Sequence, residues 1–208
     1  MIPSSMRGLV HSVLGHPSLY NLSQRVLGAS EARYRCLDEL DARPGQRVLD
    51  VGCGPAYYLE RLAPGVEYHG FDTDERYIGW ATDRFGARAR FYCDTYGERH
   101  LAELGHFDRV LLMGLLHHLD DREANALLAL IARALAPGGR VVTLDTCYDD
   151  RLSSLERWLA SQDRGRHVRE TRAFDEMASR HFQNVRGNLI ALRMPMRLWL
   201  MTMSERRG

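Results

Sequence analysis

The sequence predicts an α/β fold with a doubly wound parallel sheet and helices on both faces, and two observations carry this prediction. An apolar run over residues 48–51 is followed directly by the glycine loop Gly52-Cys53-Gly54, as at the end of a buried parallel strand. Apolar runs and helix patterns then alternate four times up to residue 145. Such alternation implies right-handed crossovers and a ligand crevice beside the first strand.

The individual elements follow from local signals. Residues 17–27 predict a helix that Gly28 ends, and Ser30 is placed as the N-cap of a second helix over residues 31–40. After the glycine loop, the expected elements are a helix over 56–62, a strand over 66–71, a helix over 74–85, a strand over 89–93, a strand over 107–113, a helix over 123–136, a strand over 140–144, a helix over 171–181 and a hairpin of strands over 182–191 and 196–203. A chain of 208 residues suits a single domain with one core.

The charge distribution limits the chemistry. The chain has no Lys, so all 28 basic residues are Arg, and this excludes Schiff-base catalysis by a lysine amine. Residues 151–208 carry 12 Arg against six acids, whereas residues 1–150 carry 16 Arg against 21 acids. A basic C-terminal segment suits an anionic ligand, although Arg on solvated helix faces explains the same composition.

The cysteines and the hydropathy pattern indicate the compartment. Cys36, Cys53, Cys93 and Cys147 are too far apart for a C-x-x-C motif, and we expect them to stay reduced. No apolar run approaches the roughly 20 residues that a membrane helix needs. The expectation is a cytoplasmic protein without membrane contact, present as a monomer or a homodimer.

The glycine loop predicts a site for a ligand with a cationic end. Gly52 and Gly54 let the backbone pass close to a ligand with its N–H groups open toward it, and Asp50 adds a carboxylate at the same place. A pyrophosphate fingerprint needs a third glycine where this chain has Tyr57. A phosphate would also be repelled by Asp50.

Three acids come at the ends of three successive strands. Besides Asp50, Asp72 stands where a ribose would present two hydroxyls to a carboxylate. Asp94 ends the next strand and is placed to accept from the exocyclic amine of an adenine. A single acid at a strand end is more often a helix cap, but three in succession favour one crevice.

The order of these motifs resembles that of class I S-adenosylmethionine-dependent methyltransferases. The resemblance rests on the segments 48–55 (VLDVGCGP), 70–72 (GFD), 93–94 (CD), 107–108 (FD), 116–119 (LHHL) and 135–140 (LAPGGR). It implies a seven-stranded Rossmann-like sheet in the order 3-2-1-4-5-7-6 with the last strand antiparallel. Residues 1–43 would form an N-terminal helical cover, residues 44–145 the cofactor-binding half, and residues 146–208 an acceptor-side insert with a terminal β-hairpin.

The cofactor of that family is S-adenosyl-L-methionine, and the resemblance assigns it to particular residues here. Gly52 and Gly54 would pass under the methionine moiety, with Asp50 near its ammonium. The ribose hydroxyls would bind Asp72, and the following acid with Thr95 would meet the adenine. The whole implied cofactor site is Asp50, Gly52, Cys53, Gly54, Asp72, Thr73, Tyr77, Asp94, Thr95, Met113 and Gly114.

The acceptor side of the site is expected beyond the fifth strand, where the insert over residues 146–172 has no counterpart in the cofactor-binding half. Arg164 and Arg166 suit a carboxylate or phosphate on the acceptor. The candidates for acceptor binding are Tyr20, Tyr148, Arg164 and His167. The candidates for a general base are His117, His118, Tyr148 and His167, although a histidine pair in this motif often orders the strand-helix turn instead.

Alternatives of other classes remain open. Metal-using relatives carry carboxylates where this chain has Gly114 and His117, so no metal is expected. Arg residues are not interleaved with aromatics and no base-flipping motif is present, so a small-molecule acceptor methylated on O or N is favoured over a nucleic acid or a protein. Nothing in the sequence excludes a silent S-adenosylmethionine binder, whereas Tyr57 and Asp50 count against a nicotinamide oxidoreductase.

Overall fold

The computed structural model describes residues 29–163 and 165–207. Its helices are α1 (Ala29–Leu40), α2 (Glu75–Phe85), α3 (Glu98–Leu104), α4 (Asp121–Ala134), α5 (Ser154–Ser161) and α6 (Thr171–Ala178), with 3-10 turns at Tyr57–Arg61 and Leu116–His118. Its strands are β1 (Arg47–Val51), β2 (Glu67–Asp72), β3 (Ala89–Cys93), β4 (Phe107–Met113), β5 (Leu135–Tyr148), β6 (Arg169–Glu170), β7 (Phe182–Ala191) and β8 (Arg197–Arg206).

The strands form one mixed sheet in the order β3-β2-β1-β4-β5-β8-β7, with β6 beside the end of β5. Strands β1 to β5 pair in parallel, whereas β8 is antiparallel to both β5 and β7. This confirms the predicted α/β class, and the predicted order 3-2-1-4-5-7-6 is recovered once the two-residue strand β6 is left out of the count. The strand order reverses between β1 and β4, which places a crevice at their carboxyl ends.

Two apolar cores, one on each face of the sheet, hold the helices in place. Leu49 packs in one core with Ile131 of α4, and Val48 packs in the other with Leu40 of α1. Adjacent residues of β1 divide between the cores because successive side chains of a strand point to opposite faces. Burial on both faces explains why the central strands are nearly continuous apolar runs. Among the described helices, none is long and apolar enough to cross a bilayer.

The segment around the glycine loop and the first helix differs from the prediction. The expected helix over 56–62 is only a 3-10 turn, because the chain is left-handed at Ala56 (φ 48°) and extended again at Leu62. Ser30 is not an N-cap, since α1 already begins at Ala29. The predicted helix over 17–27 and its stop at Gly28 lie outside the described residues.

Several later elements also differ from the prediction. The predicted strand over 140–144 is longer at both ends and spans Leu135–Tyr148. Leu135 already pairs with β4, β8 pairs with β5 as far as Thr146, and β6 pairs with its last two residues. The helix expected over 123–136 spans Asp121–Ala134, since the Asp120 carboxylate caps it earlier. Helices α3 and α5 and strand β6 were not predicted, although α5 carries a readable capping box of Ser153 and Glu156.

Candidate functional site

The carboxyl ends of the central strands bring most of the predicted cofactor residues to one edge of the sheet. Asp50 lies near the end of β1, Asp72 ends β2, and Asp94 and Gly114 follow β3 and β4. Hydrogen bonds join neighbouring ends: the Asp94 N–H donates to the Asp72 carbonyl at 3.0 Å, and the Gly114 N–H donates to the Leu144 carbonyl at 2.7 Å. These predicted residues therefore lie together at one edge of the sheet.

The glycine loop is closed against β2 rather than open to a ligand. The N–H groups of Gly52 and the buried Cys53 both donate to the Phe71 carbonyl, at 2.8 and 3.0 Å, and the Gly54 N–H donates to Oδ2 of Asp72 at 2.8 Å. The prediction that these N–H groups face the ligand is wrong, because the loop uses them to close against the neighbouring strand. The loop instead holds Asp72 in a fixed position.

Gly52 also permits a close approach between the loop and the turn after β4. Its φ of 76° lies in the left-handed region, and a Cβ added there would lie 3.3 Å from Cδ1 of Leu115. A side chain would therefore be both strained and crowded. Gly54 shares the left-handed φ, at 53°, but an added Cβ there would meet nothing within 4 Å. Met113, which ends β4 just before the turn, is buried.

Asp50 is fully buried at the end of β1. Its Oδ2 accepts hydrogen bonds from the hydroxyl of Tyr58, at 2.7 Å, and from that of Tyr68, while its Oδ1 has no partner. Burial raises the pKa of this carboxyl to about 7, against the lowering effect of the two tyrosine hydroxyls and with a small contribution from Asp72. A buried oxygen without a partner is unfavourable, so Asp50 suits a ligand that brings a cation.

Asp72 presents an oriented and half-buried carboxylate. In addition to the Gly54 N–H on Oδ2, the Asp74 N–H donates to Oδ1 at 2.9 Å. Each oxygen of an ionised carboxylate has two acceptor sites, so both oxygens retain capacity for one more hydrogen bond. This arrangement fits a ligand with two adjacent hydroxyls, such as a ribose.

Asp94 and Thr95 are engaged with their own neighbours at the end of β3. The Thr95 N–H donates to Oδ1 of Asp94 at 2.7 Å. The other oxygen of Asp94 forms an ion pair with Arg99 and lies 3.5 Å from Nε2 of His100. The contact of Asp94 with adenine stays a prediction. Two further predicted cofactor residues follow the end of β2, the exposed Thr73 and the half-buried Tyr77.

His117 and His118 have different surroundings although they are adjacent. His117 is 6% exposed, its Nδ1 lies 2.8 Å from Oδ1 of Asp145, and its Nε2 lies 3.2 Å from Oδ1 of Asp163. Burial lowers the pKa of His117, but the hydrogen bonds to both carboxylates more than offset it and raise the pKa to about 9. With both ring nitrogens occupied, His117 does not suit a general base. His118 is exposed, and its ring centroid lies 4.3 Å from that of His117.

The acceptor-side insert folds back onto the turn that follows β4. The His167 N–H donates to the His117 carbonyl at 3.0 Å. Tyr148, the last residue of β5, has its ring centroid 5.6 Å from Cζ of Arg157. The two remaining predicted acceptor residues lie outside the described ranges: Tyr20 and Arg164.

Four contributors to this site were not predicted. Tyr58 and Tyr68 hold Asp50, and Asp163 and Arg169 tie the insert to the turn at residues 116–119. Their partners are distant in the chain, so no local pattern marks them. The one readable signal was Tyr58, because a hydroxyl in the segment after a buried acid needs an acceptor.

The described residues offer little to a metal ion. Within the described ranges, no group of three or more His, Cys, Asp or Glu side chains is placed to hold one. Gly114 has no side chain to contribute, and His117 is held by two carboxylates. That the reaction needs no metal stays a prediction.

Comparison with known proteins places these features in a family. Residues 48–139 match the family model of a methyltransferase domain. Phosphoethanolamine N-methyltransferase 1 of Arabidopsis thaliana is 26% identical over 155 residues, which cover 72% of this chain and 31% of that protein. A tRNA U34 carboxymethyltransferase of Idiomarina loihiensis is 32% identical over 122 residues, which cover 52% of this chain and 35% of that protein.

A solved structure covers nearly the whole chain. The N-methyltransferase NodS of Bradyrhizobium japonicum, in complex with S-adenosyl-L-homocysteine, matches with a TM-score of 0.67 at 17% identity over 97% of both chains, which shows a shared fold. The chain spans less than half the length of the curated relatives it matches. The matching domain over residues 48–139, the sheet order and the glycine loop all agree with those of the class I S-adenosylmethionine-dependent methyltransferases, whose cofactor is S-adenosyl-L-methionine.

Proposed function

We propose that this protein transfers a methyl group from S-adenosyl-L-methionine to an oxygen or nitrogen atom of a small-molecule acceptor. The observation that carries the proposal is the carboxylate of Asp72, which the N–H groups of Gly54 and Asp74 hold with acceptor capacity left on both oxygens. A ribose-bearing cation without phosphates suits this carboxylate and the neighbouring Asp50. A nicotinamide dinucleotide would place phosphates beside the same acids.

The described residues fit this cofactor. Asp72 would accept from the two ribose hydroxyls, Asp50 would balance the positive charge of the methionine end, and Gly52 would let the loop approach it closely. When bound, the cofactor supplies a methyl carbon that a sulfonium has already activated. The protein then has to hold the acceptor in line with that carbon and exclude water.

The acceptor site is assigned to the insert over residues 146–172. Tyr148 and His167 are its described candidates for contact with the acceptor, because both lie on the segment that follows the edge of the sheet carrying Asp72. A general base is needed only if the acceptor arrives protonated. His118, Tyr148 and His167 remain candidates for that role, since His117 is held between two carboxylates.

An anionic acceptor has some support from charge. Residues 151–208 carry 12 Arg against six acids, and the Arabidopsis thaliana relative is named for phosphoethanolamine, which contains a phosphate. Within the insert, Arg157 and Arg169 are ion-paired with Glu170 and Asp121. Arg166 is exposed, so we assign recognition of the anionic group to it.

A nucleic-acid acceptor is the second candidate, because a tRNA carboxymethyltransferase is among the relatives. The ion pairs of Arg157 and Arg169 reduce the basic surface that binding to a phosphate backbone requires. The two candidates differ in salt dependence: turnover on a nucleic acid should fall steeply between about 50 and 200 mM salt, whereas binding of a small acceptor should change far less.

Two experiments test the proposal. Calorimetry should show binding of S-adenosyl-L-homocysteine but not of NAD, and NAD binding without a response to S-adenosyl-L-homocysteine would overturn the assignment. A screen of small methyl acceptors with labelled cofactor should then identify a substrate. On it, His167→Ala and Arg166→Ala should lower kcat/KM at least about tenfold, which is about 1.4 kcal/mol of transition-state binding. Cofactor affinity should stay within about twofold, and His106→Ala, at an exposed site, is the matched control.

A further inference from the structure

We propose that His117 is a positioning residue, whose doubly protonated ring bridges Asp145 of β5 and Asp163 of the insert and thereby fixes residues 165–169 as a rigid wall of the acceptor pocket. The acceptor part of this inference rests on the proposed function, whereas the rigid attachment does not. We call residues 165–169 the docking loop.

The bridge joins three side chains that are separate in the chain: His117 and Asp145 are buried, and Asp163 is half-buried. Nδ1 of His117 lies 2.8 Å from Oδ1 of Asp145, and Nε2 lies 3.2 Å from Oδ1 of Asp163. The same Asp145 oxygen also accepts from the His117 backbone N–H at 3.2 Å. An ionised carboxylate can only accept, so both ring nitrogens must carry a proton when the two acids are ionised.

The charges around the ring favour that protonated state. The two carboxylates raise the pKa of His117 to about 9 although burial opposes them, and the imidazolium in turn lowers the pKa of Asp163 to about 2 although burial opposes that shift as well. Thr146 adds a hydroxyl donor to Oδ2 of Asp163 at 2.8 Å. His118 lies against the ring, and Arg169 on the docking loop donates to the carbonyl of Leu116, the residue before His117.

The docking loop is fitted to His117 by shape as well as by charge. A Cβ added at Gly165 would lie 2.1 Å from Cδ2 of the His117 ring and 2.6 Å from its carbonyl oxygen, so only glycine allows this approach. The Gly165 N–H donates to Oδ1 of Asp163 at 2.7 Å, and the His167 N–H donates to the His117 carbonyl at 3.0 Å. Backbone and side chain of His117 therefore both contact the loop.

Arg169 forms a second anchor at the far end of the loop. Its guanidinium donates to the carbonyls of Leu116 and Leu119 at 2.8 and 2.7 Å, and to the carboxylate of Asp121 at 2.8 Å. It is buried, so these contacts replace the water that an exposed guanidinium would bind. The loop is thus held at both ends against the turn at residues 116–119, which follows β4 at the same sheet edge as the glycine loop.

Amide hydrogen exchange tests the attachment without any acceptor. In His117→Gln and Asp163→Ala, the amides of Gly165 and His167 should exchange at least about tenfold faster than in the parent, relative to the amide of Val110 in β4 as an internal core reference. The matched controls are His106→Gln and Asp83→Ala, both at exposed positions, and neither should change the ratio. An unchanged ratio in the Asp163→Ala protein would overturn the bridge.

A second exchange experiment uses the parent protein, so it does not depend on whether the variants fold. As pH rises past the pKa of His117, about 9, the ring loses a proton, and the ratio of His167 to Val110 exchange should increase at least about tenfold between pH 7 and about pH 10.5. A constant ratio across this range would overturn the inference. Taking the ratio removes the intrinsic pH dependence of exchange, because both amides experience the same solvent.

Kinetics on an identified acceptor test the functional half. Asp163→Ala should raise KM for the acceptor at least about tenfold while affinity for S-adenosyl-L-homocysteine stays within about twofold, and Asp163→Glu should recover part of the loss. If amide exchange in the docking loop becomes faster but KM is unchanged, the loop has no role in acceptor binding. Only its attachment to His117 would then stand. A chain that binds no S-adenosyl-L-homocysteine would overturn the proposed function and leave the exchange result intact.

Discussion

Oδ2 of Asp72 accepts a hydrogen bond from the Gly54 N–H at 2.8 Å, so the acid that ends β2 is tied to the glycine loop that follows β1. The same side chain accepts from the Asp74 N–H through its other oxygen. These two bonds fix the carboxylate before any ligand arrives. The side chain therefore loses less conformational entropy when a ligand binds. Asp72 is consequently part of the loop structure, and in the proposed function it is also the group that accepts from the ribose hydroxyls.

Replacing Asp72 should therefore weaken the cofactor without unfolding the protein. Asp72→Asn keeps the shape but only one of the two backbone contacts, because only its amide oxygen can accept, and it removes charge-assisted bonds worth about 1.5–3 kcal/mol each. Calorimetry should show at least a tenfold rise in the Kd of S-adenosyl-L-homocysteine, about 1.4 kcal/mol. Asp83→Asn is the control for a lost surface charge, and unchanged affinity in a folded Asp72→Asn protein would contradict the ribose role.

The two loop glycines separate the effect of side-chain packing from the effect of backbone conformation. Gly52→Ala should destabilise the fold more than Gly54→Ala, because both residues have a left-handed φ but only Gly52 would also place its Cβ 3.3 Å from Leu115. The left-handed conformation alone costs about 1–2 kcal/mol for a non-glycine residue. Urea unfolding of both variants measures the difference, and equal losses would mean that Leu115 moves aside without cost.

The sheet order was predictable because its signals are local and repeated. Each strand is a short apolar run bounded by turn residues, and the alternation with helices fixes parallel pairing through right-handed crossovers. The closing hairpin followed from two β-rich segments around Pro195. The extension of β5 to Tyr148 was not predictable in this way, since it depends on β8 and β6, which pair with β5 from farther along the chain.

The site was predictable to the extent that the family motif and the strand ends define it. Asp50, Asp72 and Asp94 lie at the predicted sheet edge because each follows a predicted strand. The partners that determine their behaviour come from elsewhere: Tyr68 on β2 holds Asp50, and Asp145, which holds His117, lies 28 residues away from it. Such pairings depend on tertiary packing, so a single sequence carries no pattern for them.

The buried carboxyl of Asp50 predicts a pH-dependent stability in the absence of ligand. Its pKa is raised from 3.8 to about 7 by burial, so folding favours its protonated form. The sign follows from linkage: the stability that this group contributes is fully present below about pH 4 and is lost as the pH rises through 7. Asp50→Asn mimics the neutral form, so its stability relative to the parent should increase from pH 4 to pH 8.

Denaturant unfolding at those two pH values measures this effect. Asp83→Asn, an exposed acid on α2, is the control and should show no comparable trend. The same Asp50→Asn protein should bind S-adenosyl-L-homocysteine more weakly than the parent at pH 8, because the ionised carboxylate is then lost. A difference in stability that does not vary between pH 4 and pH 8 would show that Asp50 titrates near its ordinary pKa.

The bridge at His117 predicts the opposite dependence on pH. The folded pKa of this imidazole is raised from 6.5 to about 9, so the stability it contributes is fully present below pH 6.5 and is lost as the pH rises through 9. His117→Gln cannot carry the charge and leaves the buried Asp145 and the half-buried Asp163 without their cation. Removal of one partner from a buried ion pair costs about 3–5 kcal/mol, so at pH 6 the variant should be less stable by an amount of this order. By about pH 10 the parent has lost its own charge there, and the gap in unfolding free energy between parent and variant should become much smaller.

Subtracting the two unfolding curves cancels the titration of the other histidines, and His106→Gln should show no gap at either pH. A gap of constant size from pH 6 to about pH 10 would mean that His117 stabilises the turn by packing and neutral hydrogen bonds, with no contribution from the imidazolium.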